Sequence, residues 1–277
     1  MGQAAQTGRA AKFRELHAAG TFVIANAWDG GSARILSSLG FPALATSSGA
    51  AAGVLGRLDH GITLDESLAN ARLICESTDL PVSADLEKGF GDAPADAARA
   101  ITRAAEVGLV GGSIEDATGR RDQPIYDASH AAERIAAAVE AARALPFPFT
   151  LTARAENFLN GRNDLDDTIR RLQSYERAGA DVLFAPALPD LEAVRTVCAS
   201  LTRPVNFMVA IPGKSFSVAE LAAAGVRRIS LATSLYRAAM SGLVEAAREI
   251  REHGTFDYLG RSISSAEFAR LLGAPSR

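Results

Sequence analysis

Eight short apolar runs recur along the chain, each followed by a longer amphipathic stretch. The runs are Phe22–Ala27, Ala43–Ser47, Pro81–Asp85, Gly112–Glu115, Phe149–Arg154, Asp181–Pro186, Pro204–Val209 and Arg228–Ala232. Rich in Val, Ile, Leu and Phe, they read as parallel strands buried on both faces. Between them, Ser32–Leu39, Leu64–Glu76, Ala93–Val107, Ala128–Ala144, Leu165–Ala178, Leu191–Leu201, Val218–Ala224 and Ser234–His253 read as helices. Gly40, Gly108, Gly179, Gly225 and Gly254 stand where a left-handed residue would stop five of them. Thr63-Leu64-Asp65-Glu66 has the form of a capping box. Eight strand–helix units in about 250 residues predict a (β/α)₈ TIM-type barrel. An open doubly wound sheet is the competing architecture. Its G-x-G-x-x-G turn is missing after the first run, where Trp28-Asp29-Gly30-Gly31-Ser32 stands.

No linker or low-complexity segment divides the chain, so one domain is expected. Residues 1–12 read as a flexible N-terminal tail, 13–260 as the barrel and 261–277 as a C-terminal extension. That extension holds a weak helix, Ser265–Leu272, suited to packing on another subunit. With 277 residues, 48% hydrophobic and 22% charged, a sizeable core can form. A net charge of −3 and the lack of a basic block argue against nucleic-acid binding. No apolar run approaches a membrane span, and the N-terminus lacks an apolar signal core. A cytoplasmic protein is expected. Cys75 and Cys198 fall in predicted helices without metal-ligand spacing and read as buried small hydrophobes.

Two acidic pairs, Asp85-Leu86-Glu87 and Glu115-Asp116, close successive strands. Parallel strands would gather all four carboxylates at one end of the sheet, where they repel. A divalent cation with oxygen ligands would remove that cost. Helix capping is the competing reading. In a barrel, function collects where strands end. Those ends carry Asp29, Ser47-Ser48-Gly49, Asp85 and Glu87, Glu115-Asp116, Arg154 and Glu156, Pro186, and Pro212-Gly213-Lys214. Arg154 needs anionic company, either from these acids or from a substrate carboxylate held bidentately. Ser48-Gly49-Ala50 is a simple tight loop or a cradle of hydroxyl and N–H groups for an oxyanion. Asp59 sits in the Gly-rich stretch from Gly49 to Gly61, within reach of the mouth, whereas His60 reads as solvent-exposed. His17, His130 and His253 read as structural. Gly213-Lys214-Ser215 resembles a phosphate loop, but Met208 stands where a Walker loop needs Gly.

Taken together, five phrases resemble the isocitrate lyase/phosphoenolpyruvate mutase superfamily. They are Thr46-Ser47-Ser48-Gly49, Leu58-Asp59-His60-Gly61, Ser83-Ala84-Asp85-Leu86-Glu87-Lys88-Gly89-Phe90-Gly91, Ser113-Ile114-Glu115-Asp116 and Thr152-Ala153-Arg154. The resemblance runs from about Phe13 to Leu235. It implies a modified barrel, a Mg²⁺ ion (with Mn²⁺ able to substitute) and a 2-oxo acid or enolate ligand. It implies Asp85 as the central metal carboxylate, with Glu87 and Glu115 acting mostly through water. Ser47, Ser48, Gly49, Asp85 and Arg154 would form the substrate site, with Asp59 beside the substrate. It also implies a dimer or tetramer that exchanges the helix Ser234–His253. Two departures stand out. Glu87 replaces the family's Asp, with Lys88 beside it. The loop Ala117-Thr118-Gly119-Arg120-Arg121-Asp122-Gln123-Pro124 has no Cys, Lys or His, and so lacks the Lys-Arg-Cys-Gly-His motif of isocitrate and methylisocitrate lyases. The Asn-Ser pair of phosphonomutases is missing too.

Decarboxylation of a 2-oxo acid needs no general base to begin, which suits such a loop. The leading expectation is a Mg²⁺-dependent lyase of small 2-oxo dicarboxylates such as oxaloacetate. Arg120, Arg121 or Asp122 would close over the substrate, Arg121 being the catalytic candidate. The alternatives are cleavage of a branched 2-hydroxy tricarboxylate, with Asp59 or Tyr126 as acid/base, and a non-catalytic 2-oxo acid-binding protein.

Overall fold

The computed structural model describes residues 2–273. Its strands are β1 (Phe22–Asn26), β2 (Leu44–Ala45), β3 (Val82–Asp85), β4 (Gly111–Glu115), β5 (Thr150–Arg154), β6 (Val182–Phe184), β7 (Val205–Met208) and β8 (Arg228–Ser230). They pair in parallel in sequence order, and β8 returns to β1 through Val23 opposite Ile229, closing the barrel. Every strand falls within two residues of its predicted bounds. The helices are α1 (Gln3–Leu16), α2 (Gly30–Ser38), α3 (Ser48–Val54), α4 (Leu64–Glu76), α5 (Pro94–Glu106), α6 (Ala128–Arg143), α7 (Leu165–Arg177), α8 (Leu191–Ala199), α9 (Val218–Ala223), α10 (Ser234–His253) and α11 (Ser265–Leu271).

Local chemistry sets the helix boundaries. Thr63 and Glu66 cap α4 reciprocally, as the sequence predicts. Asp29 caps α2, accepting from the Ser32 N–H at 2.7 Å, so this strand-end acid is a helix cap. The five glycines expected to stop helices all have positive φ, from 66° at Gly254 to 101° at Gly108 and Gly179.

The N-terminal segment is a helix rather than a flexible tail. Gln6 in α1 donates to the carbonyls of Ala105 and Leu109 at 2.8 and 3.0 Å. Phe13 is fully buried, and its ring fills the space where a Cβ on Gly111 would stand, 2.8 Å away. Burying that ring stabilises by about 1.5–3 kcal/mol, enough to fix the helix across the start of the barrel. Met1 lies outside the described residues.

At the other end, α11 forms nearly as predicted and packs on α2 of the same chain, with Arg34 donating to the Leu272 carbonyl at 3.3 Å. Residues 274–277 of the expected extension lie outside the described residues. α10 has no buried residue, and Leu243, Val244 and Ile250 on it are exposed. Cys75 is buried, Cys198 half-buried, and both are free. Among the described residues no helix is long and apolar enough to cross a membrane.

Candidate active site

The C-terminal ends of the strands surround a cavity of about 510 Å³. Its wall takes Ser47, Ser48, Asp59, His60, Asp85, Glu115, Arg154 and Glu156. It reaches down to Asn26, Asn206 and Arg228 inside the barrel.

Arg154 ends β5 and gathers the acids. Its Nη1 lies 3.1 Å from Asp85 Oδ1 and 3.2 Å from Glu115 Oε2. Its Nη2 and Nε lie 2.8 and 2.9 Å from Glu156 Oε1. The ring of Phe184 underlies the guanidinium at 4.9 Å, a cation–π contact. Register explains the assembly: Glu115 pairs with Arg154, and Arg154 with Phe184, across adjacent strands. Burial raises the carboxyls of Glu115 and Glu156 above the ordinary range, with Arg154 opposing the rise.

Two of the four expected carboxylates, Asp85 and Glu115, meet on Arg154; Glu87 turns to His60, and Asp116 does not reach the cavity. It is buried and turned away from the cavity, accepting from the Glu156 N–H at 2.7 Å, Arg171 at 3.0 Å and the Tyr175 hydroxyl at 2.7 Å. Neighbouring residues of a strand point to opposite sides, so Glu115 and Asp116 cannot share one face. Glu156 is the third acid on Arg154, two residues beyond it and on the same side. Glu156 is one of the strand-end residues of the sequence, and its spacing of two from Arg154 is the signal that puts it in the acid cluster.

Glu87 is buried, with φ of 49°. Its Oε2 lies 3.1 Å from His60 Nδ1, while its Oε1 has no hydrogen-bond partner among the described residues. The bond to Glu87 raises His60 to about 9, so the ring is cationic at neutral pH although half of it faces solvent. His60 is thus exposed, as expected, yet tied to the site. Lys88 does not compete for Glu87; its Nζ goes to Asp92 at 2.6 Å and to the Thr118 carbonyl at 3.0 Å.

This donor set suits a hard divalent cation. The ligands are carboxylate oxygens, one is buried and unpartnered, and the acids outnumber the one guanidinium that touches them. Two positions compete. Asp59, His60 and Glu87 offer atoms within 4.8 Å of one another at the rim. Asp85 and Glu115, on Arg154, and the buried Glu87, whose Oε1 is unpartnered, are the second set.

The other predicted residues distribute around this centre. Ser48 donates its N–H and hydroxyl to Asp85 Oδ2 at 3.2 and 3.0 Å. Ser47 caps α3, so the expected turn is a short helix start. Gly49 lies behind the wall, and a Cβ there would stand 3.0 Å from Asp59 Oδ2, so its bareness lets Asp59 approach. Asp59 is exposed at the rim. Arg121 is exposed and outside the cavity wall. Its loop is held by Thr118 donating to the Pro124 carbonyl at 2.9 Å, and Arg120 is drawn off to Asp92 at 3.2 Å. Tyr126 is also outside the cavity, its hydroxyl committed to Asp92. Lys214 lies 3.5 Å from the Ala187 carbonyl, away from the acids.

Arg228 was read only as the start of an apolar strand. It is buried inside the barrel, donating to Asn206 at 2.8 Å and Thr152 at 2.9 Å, with His17 Nε2 at 3.4 Å. Burial and the repulsion of Arg154 pull it down to about 9. It is a second cation beneath the acid cluster, with neutral partners only.

Residues 13–251 match the family described as Phosphoenolpyruvate phosphomutase. The chain belongs to this family. It is therefore an enzyme of the superfamily whose named members are carbon–carbon lyases and mutases. Within it, 2-methylisocitrate lyase of Escherichia coli K12 is 31% identical over 219 residues, 76% of this chain and 73% of that one. Oxaloacetate decarboxylase of Pseudomonas putida GB-1 is 30% identical over 244 residues, 85% of this chain and 82% of that one. A solved structure from Burkholderia cenocepacia J2315, described only broadly as a lyase or mutase, superposes with a TM-score of 0.96 at 49% identity, covering 99% of both chains. The phosphoenolpyruvate phosphomutase family includes relatives acting on different carboxylates, so membership fixes the class of enzyme and leaves the substrate to the site.

Proposed function

We propose that the protein is a cytoplasmic Mg²⁺-dependent lyase of a small 2-oxo dicarboxylate, with oxaloacetate as substrate. The observation that carries this reading is Arg154 set among Asp85, Glu115 and Glu156 in the cavity at the strand ends. Asp85, Glu87 and Glu115 would hold the ion, Mn²⁺ serving in its place. When bound, it would supply Lewis-acid polarisation of the 2-oxo group. Arg154 now spends Nη1 on Asp85 and Glu115; acids engaged elsewhere free that corner for a substrate carboxylate. In decarboxylation the C3–C4 bond breaks and CO₂ leaves. The electron pair moves towards the former carbonyl oxygen, which Arg154 would stabilise, joined by the Ser48 N–H once Asp85, its present acceptor, turns to the ion. A solvent proton at C3 completes pyruvate. No residue of the chain must remove a proton first, which fits a loop without Cys, Lys or His.

Asp59 supports a second reading. A carboxylate at the rim beside Gly49 could act as the base in retro-aldol cleavage of a branched 2-hydroxy tricarboxylate. Asp59→Asn would then abolish cleavage and spare metal binding. A non-catalytic 2-oxo acid binder is the third; ligands would raise the melting temperature without turnover. The unburied α10 supports exchange of this helix between subunits in a dimer or tetramer, which light scattering would measure.

The test of function is a panel of 2-oxo acids and 2-hydroxy tricarboxylates, with Mg²⁺ and then EDTA, followed for pyruvate or glyoxylate. Mg²⁺-dependent pyruvate release from oxaloacetate supports the proposal. A folded, Mg²⁺-loaded protein that turns over no 2-oxo acid overturns it.

A further inference from the structure

Arg134 on α6 lies outside the cavity, is 1% exposed and has no carboxylate within ion-pair distance among the described residues. All its hydrogen bonds go to backbone carbonyls. Nη1 donates to Glu115 O at 3.2 Å; Nη2 donates to Gly91 O at 2.9 Å and to Lys88 O. The guanidinium rests 4.5 Å over the Tyr126 ring, whose hydroxyl holds Asp92. One planar fork therefore grips both acid-bearing segments from behind: the turn that presents Glu87 and the end of β4 that presents Glu115.

That turn needs holding. Glu87, Gly89 and Phe90 have φ of 49°, 85° and 60°, two of them non-glycine residues in the left-handed region. Such conformations persist only where the surroundings over-determine them. The turn points the carbonyls of Lys88 and Gly91 at the buried guanidinium on α6, and removing that donor would leave them without it. A point charge cannot reproduce the fork on both segments.

We infer that Arg134 is a positioning residue for the cation site, fixing the spacing of Glu87 and Glu115 through their backbone. This rests on the reading that those two acids hold the ion. Partners that orient metal ligands change affinity by about 10–100-fold when removed.

The test is Mn²⁺ binding to full-length protein, by electron paramagnetic resonance of free Mn²⁺, for wild type, Arg134→Gln, Arg134→Lys and Ile101→Ala. Ile101 is buried in α5 and serves as a stability control. Arg134→Gln should raise the Mn²⁺ Kd about 10–100-fold. Arg134→Lys, the milder variant, should recover part of the loss. Ile101→Ala should stay within about twofold of wild type even where its melting temperature falls as far. Equal affinity in wild type and both Arg134 variants, or equal weakening by Ile101→Ala, overturns the inference alone. Wild-type protein that holds no Mn²⁺ overturns the cation reading, and this inference with it.

Discussion

Glu115 and Asp116 are neighbours in sequence with opposite expected fates on neutralisation. Asp116→Asn strikes a buried ion pair. Its carboxylate now accepts from the Glu156 N–H, Arg171 and Tyr175, whereas an amide has one oxygen and one NH₂. Either orientation faces NH₂ against a buried donor. Breaking a buried pair costs about 3–5 kcal/mol, and Arg171 keeps Asp167 at 2.9 Å, so the lower end applies. Unfolding entropy near 2.1 cal/mol/K per residue over 277 residues is about 0.6 kcal/mol/K. A loss of about 3 kcal/mol therefore lowers the melting temperature by about 5 °C. Glu115→Gln should behave differently. Burial already disfavours that charge, and Arg154 retains Asp85 and Glu156. Its stability should stay within about 1 kcal/mol of wild type while Mn²⁺ binding falls at least about tenfold. Calorimetry and Mn²⁺ titration of both variants make the assay. An Asp116→Asn protein as stable as wild type, or one that loses Mn²⁺ as Glu115→Gln does, would refute the assignment of opposite roles.

Three further outcomes are expected. Arg154→Lys should lower kcat/KM for the 2-oxo acid by about 10²–10³, since a point charge loses the paired donors; unchanged kinetics would remove Arg154 from the reaction. Gly49→Ala should displace Asp59, whose Oδ2 lies 3.0 Å from the added methyl, and so weaken any activity that needs Asp59 while leaving Mn²⁺ affinity unaltered. His17, held near pKa 3 by burial and by Arg228, is neutral in the folded barrel, whereas the unfolded chain protonates it near its ordinary 6.5. Its contribution is thus complete above pH 6.5 and lost as pH falls towards 3, by about 1.4 kcal/mol per unit. His17→Gln keeps an acceptor for Arg228 and a donor for the Phe13 carbonyl. The melting temperature of wild type relative to this variant should fall by about 3 °C between pH 7 and 5, and parallel curves would refute the buried neutral ring.

The barrel was legible because parallel strands covered on both faces must be continuous apolar runs, and because a left-handed glycine is the simplest end for a helix. α1 was not. Its small residues carry little pattern, and only Ala10 and Phe13 of it are buried. Its order comes from Gln6 and Phe13 reaching the barrel, a tertiary effect. At the site, the meeting of Asp85, Glu115 and Arg154 was readable from their places at strand ends. Asp116 was grouped with them by adjacency, against the alternation that sends neighbours to opposite faces. His60 was passed over because an exposed ring on a Gly-rich loop gives no local sign of its partner, Glu87. Arg228 was hidden by the apolar residues around it, although a charge within a buried strand is itself a signal.

Anomalous diffraction from crystals grown with Mn²⁺ would test the cation site directly. A single peak bounded by Asp85, Glu87 and Glu115, with Arg154 released from at least one of these acids, is the predicted result. A peak among Asp59, His60 and Glu87 at the rim, or none at all with Arg154 still clamped on Asp85 and Glu115, would contradict it.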